Sequence, residues 1–117
     1  MIQPNLGPPK HITFHDGAIE GKLRNQLVYQ ACISKQEMAQ QKYMMGNRLV
    51  LKFKEEVIGE GQIILIAPVT YADITQYDAV LGGYERLEEL GVHLKSRIPV
   101  EKTPEKTEFY KILFRWL

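Results

Sequence analysis

The chain has 117 residues, 44% hydrophobic and 25% charged, enough for one compact core. Fifteen basic against fourteen acidic side chains give a formal net charge of +1, so a nucleic-acid-binding face would have to come from local clustering rather than bulk charge. One cysteine, Cys32, excludes an intramolecular disulfide.

Without a second cysteine or a histidine pair at ligand spacing there is no donor set for structural zinc, and no cofactor is implied. No apolar run approaches the roughly 20 residues that span a bilayer, and residues 1–10 are Pro/Gly-rich rather than basic and then apolar. The expectation is a soluble, unexported, cytoplasmic protein without a membrane partner.

In chain order, residues 1–10 read as a flexible arm, since Pro4, Pro8 and Pro9 remove donors, and residues 11–117 as a single domain. His11 to His15 predicts a strand. Asp16 caps a helix with Ile19, Leu23 and Leu27 at i, i+4, i+8. Leu27 to Ile33 predicts a second strand, and Ser34 to Glu37 a capping box for a short helix ending near Gly46. Arg48 to Lys54 and Gln62 to Ala67 form two strands joined across Glu55 to Gly61. Asp73 caps a helix running through Val80, and Gly82-Gly83 ends it. The next helix, Tyr84 to about Lys95, carries Leu87, Leu90 and Leu94 for burial.

After a polar loop, residues 99–104, the final strand alternates Tyr110, Ile112, Phe114 and Trp116 against Lys111 and Arg115. One face is expected to be buried and one wet. Removing this strand would expose aromatics worth roughly 1.5–3 kcal/mol each. The element order predicts an α+β domain built around a small mixed β-barrel flanked by short helices.

Several clusters have plain structural readings. His11 and His15 bracket the first strand without a carboxylate or cysteine at ligand spacing, and read as strand-end histidines. Cys32 sits in an apolar run and reads as an inert buried thiol, and His93 as surface or half-buried. Glu85, Glu88 and Glu89 complement a helix N-terminus, and Met38, Met44 and Met45 fill gaps near a helix end. Lys22, Arg24, Arg48, Lys52 and Lys54 lie on elements that can flank one barrel opening, with Tyr29 and Tyr43 as stacking surfaces for single-stranded bases.

His11-Ile12-Thr13-Phe14, Gly46-Asn47-Arg48-Leu49-Val50-Leu51, Gly83-Tyr84 before Leu87-Glu88-Glu89-Leu90, and Thr107 to Phe114 follow one another in an order that resembles the small ASCH domains of the PUA-like β-barrel superfamily. Asn47 stands where those domains carry an aspartate. The resemblance implies a pocket on a barrel that handles RNA, nucleosides or modified bases. Some ASCH members are amidohydrolases that deacylate N4-acylcytidine with a lysine and threonine from a Gly-x-Lys-x-x-Thr stretch and a glutamate just before the Gly-aromatic step. An ungapped count places these on Leu27, Gln30 and Gly82, and a gapped one places Lys22 and Asn25 in the first two. Leucine and glycine offer neither nucleophile nor base, and asparagine is no nucleophile.

The expectation is therefore a non-catalytic PUA-like domain that binds single-stranded RNA, a nucleoside or a nucleotide-like ligand in a basic cleft of Lys22, Arg24, Tyr29, Arg48, Lys52 and Lys54. One alternative is an amidohydrolase with a relocated site using Lys22, Asp73 or Asp78. The other is a protein–protein interaction module, which near-zero net charge suits.

Overall fold

A computed structural model describes residues 8–99 and 103–117; residues 1–7, holding most of the expected arm, and 100–102 of the polar loop lie outside it. Strand β1 (Lys10–Phe14) is followed by a 3-10 turn, Gly17–Ile19, and helix α1 (Glu20–Asn25). Then come β2 (Val28–Ser34), α2 (Lys35–Gln41), β3 (Arg48–Phe53) and β4 (Glu56–Thr70). After another 3-10 turn, Tyr71–Asp73, the chain forms α3 (Gln76–Leu81), α4 (Leu87–Lys95), a third such turn, Pro104–Lys106, and β5 (Glu108–Trp116).

The five strands form one mixed sheet in the order β1-β3-β4-β5-β2, parallel between β1 and β3 and antiparallel elsewhere. Strands β1 and β2, neighbours in the chain, are thus the two edges. The sheet curls until those edges approach, bringing the Phe14 and Tyr29 rings to 5.4 Å, edge to face. This is the expected α+β architecture with short helices around a small mixed barrel, here a five-stranded sheet curled into a half-barrel.

Inside the curl pack Ile12, Leu23, Tyr29, Leu49, Leu51, Ile63, Ile112 and Phe114. A second cluster, Ala79, Leu90, Leu94 and Phe109, glues α3 and α4 to the outer side of β5. The outer face of the final strand is therefore covered at its Phe109 end, while Arg115 stays exposed. Ile112 and Phe114 are buried as expected, Tyr110 and Trp116 only half-buried, and Phe109 is buried on the face expected to be wet. Lys111, on that same face, is also drawn under α3.

Local chemistry explains several departures from the predicted boundaries. Helix α1 stops at Asn25 because Gln26 turns extended, which leaves Leu27 82% exposed instead of completing an apolar stripe. Ser34 caps α2 by accepting the Glu37 N–H, but the helix ends at Gln41, with Lys42 in the left-handed region as its C-cap. The expected loop from Glu55 to Gly61 is mostly strand: the β3–β4 hairpin turns at Lys54-Glu55, and β4 starts at Glu56. Gly59 and Gly61 belong to β4 because β5 crosses them closely. A Cβ at Gly59 would lie 2.5 Å from the Trp116 ring, and one at Gly61 would lie 2.9 Å from the Arg115 carbonyl.

Helix α3 is capped by Thr75, not Asp73, since the Tyr71–Asp73 turn delays the helix and Asp73 accepts the Thr70 hydroxyl instead. Asn47 is fully buried and accepts the Met44 N–H at 2.7 Å, so it holds the turn into β3. Met38 packs against the barrel core, whereas Met44 and Met45 are exposed. No helix among the described residues is long and apolar enough to cross a membrane.

Candidate binding cleft

The seam between the two edge strands is an open cleft. Its inner part is a narrow pocket of about 50 Å³ between β1, β2 and α4. It shares Ile12, Thr13, His15, Glu37 and Arg97 with a wider, more open outer part of about 470 Å³ against α2. Among the described residues β1 and β2 pair inward only, so their outer edges have no strand partner and the cleft opens between them.

Polar side chains converge on the inner part from three elements. Asp16 follows β1; its Oδ1 accepts the Ala18 N–H at 2.9 Å, capping the 3-10 turn, and its Oδ2 accepts the Tyr84 hydroxyl at 2.8 Å. His93 comes from α4, with Nδ1 3.7 Å from the same Asp16 oxygen and its ring 5.9 Å from that of Tyr84. Arg97, just beyond α4, faces both parts of the cleft and makes no ion pair among the described residues.

The electrostatics follow from these contacts. Burial alone would raise the Asp16 carboxyl, but the Ala18 and Tyr84 hydrogen bonds and nearby His93 outweigh it, so Asp16 stays ionised below the usual carboxylate range. Burial, and then Arg97, hold His93 below its usual value against the pull of Asp16, so the imidazole is neutral at pH 7. Burial and the Asp16 acceptor raise the Tyr84 phenol, which remains a donor. Burial pushes the Cys32 thiol up to about 12, in keeping with an unreactive side chain.

Behind the cleft wall lies a second polar knot. Asp78 of α3 is 5% exposed and accepts Gln30 Nε2 at 2.9 Å, Lys111 Nζ at 3.3 Å and the Thr75 N–H at 2.8 Å. It ties α3 to β2 and β5 and does not line the cleft. Asp73 is exposed.

The six residues singled out from sequence do not form one basic opening. Lys52 stands beside Thr13 in the parallel register, and Lys54, whose N–H donates to the Phe14 carbonyl, follows at the turn; these two lie next to the cleft rim. Lys22 is exposed on α1, packed against Gly83 in the turn that carries Tyr84. Arg24 pairs with Glu20 at 3.0 Å, and Arg48 pairs with Glu60 at the far end of β3, about 20 Å of strand from Lys54.

Tyr29 is 3% exposed, and its hydroxyl donates to the Gly82 carbonyl. It floors the cleft as a packed ring and is not an open stacking surface. Tyr43 is likewise buried, donating to the His11 carbonyl at 2.7 Å.

No sequence pattern joins Asp16, Tyr84, His93 and Arg97 into a site. Asp16 carries a helix-cap signature and Tyr84 belongs to the Gly-aromatic step, but nothing local joins either to α4.

No family model matches this chain, and no curated protein matches it in sequence. Among solved structures, it is similar to the crystal structure of an ASCH domain from Lactobacillus crispatus, with a TM-score of 0.69 and 11% identity. The match covers 89% of this chain and 79% of that one. At this identity the likeness concerns the fold.

Proposed function

On a scaffold with the ASCH fold, we propose that this chain is a non-catalytic PUA-like module that binds single-stranded RNA, a nucleoside or a nucleotide-like ligand in the seam cleft. The observation that carries the reading is the cleft itself: a concavity between two free strand edges in which an ionised carboxylate, a neutral imidazole and a guanidinium converge beside aromatic rings. Lys52, beside the rim residue Thr13, Lys54 at the following turn and exposed Lys22 are the cations we assign to phosphates, whereas Arg24 and Arg48 are engaged by carboxylates.

The positions aligned with the family's hydrolytic residues support a binding role. Leu27 points to solvent, Gln30 donates to Asp78, and Gly82 brings no side chain to the cleft it lines. No lysine, threonine and glutamate stand there to activate an amide.

Fluorescence anisotropy with short single-stranded RNA at about 20 mM and about 200 mM salt tests this reading. Binding through two or three phosphates should fall with a log–log slope of about −1.4 to −2. Absence of binding at the lower salt would refute it, and release of acetate from N4-acetylcytidine would refute the non-catalytic part.

A further inference from the structure

The inner end of the cleft holds a carboxylate whose hydrogen-bonding capacity is half used. Oδ1 of Asp16 receives one N–H, from Ala18, and Oδ2 receives one O–H, from Tyr84. An ionised carboxylate offers about four lone-pair sites, two to each oxygen. His93 Nδ1, at 3.7 Å, is too far to fill one of those left. One acceptor site is thus left on each Asp16 oxygen, the complement of a ligand with two adjacent N–H donors. With its side chain 30% exposed and lining the cleft, it can meet a ligand.

Among the four RNA bases, guanine alone presents two adjacent N–H donors on its Watson–Crick edge, ring N1–H and the exocyclic amino group. Adenine and cytosine set an amino donor beside a ring-nitrogen acceptor, and uracil flanks its one N–H with two carbonyls. Each of these would turn a lone pair toward the carboxylate, a costly contact once water is excluded. Guanine O6, beside N1–H, needs a donor, and Arg97, which lines the same cleft, is a donor-only side chain.

We infer that the cleft selects a guanine base through the paired acceptors of Asp16, with Tyr84 and Ala18 fixing the carboxylate's orientation and Arg97 meeting O6. This rests on the nucleic-acid reading of the cleft and narrows it. The same base edge is offered by a free guanosine nucleotide and by an unpaired guanine in RNA.

Calorimetric titration of the full chain with GMP, IMP, AMP, CMP and UMP, and with pentanucleotides carrying a central guanine or hypoxanthine, tests the inference. IMP keeps N1–H and O6 but lacks the amino group. GMP should bind at least about tenfold more tightly than IMP, the worth of one charge-assisted hydrogen bond, with the other three weaker still. Asp16→Asn keeps an oxygen for Ala18 but loses the second acceptor, and should remove the preference. If that variant fails to fold, the GMP/IMP ratio on the unaltered chain still decides.

A guanine pentamer binding far more tightly than GMP would identify RNA as the source of the base, and equal affinity a free nucleotide. IMP binding as well as GMP, or another base binding better, would overturn the inference and leave the broader reading intact. No binding by any of these probes would overturn both.

Discussion

Replacing Asp78 by alanine should destabilise the protein by about 3 kcal/mol, because three contacts fail together. The donor of Gln30, a residue only 6% exposed, loses its acceptor, and a buried donor left unpaired costs about 1–3 kcal/mol. The Thr75/Asp78 capping box of α3 is lost as well, at about 1 kcal/mol. The Lys111 pair adds less, about 0–1 kcal/mol, because the lysine side chain is 27% exposed and water replaces the carboxylate. Such a loss is a large share of the 5–15 kcal/mol typical of a domain.

Urea unfolding followed by the fluorescence of Trp116, the sole tryptophan, should show the midpoint falling by about 1–2 M. The pH dependence adds a second check. Burial pushes the Asp78 carboxyl up, but Gln30, Thr75 and Lys111 more than compensate, so its folded value lies below the ordinary 3.8. Its stabilising contribution is therefore present above 3.8 and disappears as pH falls through the folded value. The stability gap between the unaltered chain and Asp78→Asn should accordingly narrow as pH falls below 3.8. A cost below about 0.5 kcal/mol for Asp78→Ala, or a gap to Asp78→Asn that ignores pH over this range, would refute the reasoning.

Other consequences follow from the same packing. Phe114→Ala, at a fully buried site between Phe14, Tyr29 and Trp116, should cost about 3–5 kcal/mol in urea or thermal unfolding. Gly59→Ala should lower the unfolding midpoint by an amount equivalent to about 1–3 kcal/mol, because φ is +151° there and the new Cβ meets the Trp116 ring. Cys32, its thiol raised from 9.0 to about 12 mainly by burial, should react with a disulfide reagent far more slowly in the native protein than in urea at pH 8. Because the folded thiol holds its proton where the unfolded one releases it, stability should also decline as pH climbs from 9 toward 12, read by thermal melts across that range.

The sequence by itself determined the element types and the α+β class, because those rest on local chemistry: period-two alternation in β5, Asp16 and Ser34 as caps, and the Leu90/Leu94 stripe of α4. It placed Cys32 in an apolar run, read as buried, whereas the structure leaves it half-buried in the cleft wall. Tertiary structure alone decided which elements share a surface. The edge positions of β1 and β2 follow from strand pairing across the whole chain, and the cleft follows from those edges. Helix α4 then brings His93 and Arg97 to Asp16.

Basic residues show the same divide. Charge at Lys22, Arg24, Arg48, Lys52 and Lys54 is visible in the letters, but whether a guanidinium is free depends on partners such as Glu60, which the β3–β4 register places opposite Arg48's strand. Periodicity encodes which side of its own element a residue occupies, whereas a site is a relation between elements, and long-range pairing sets it.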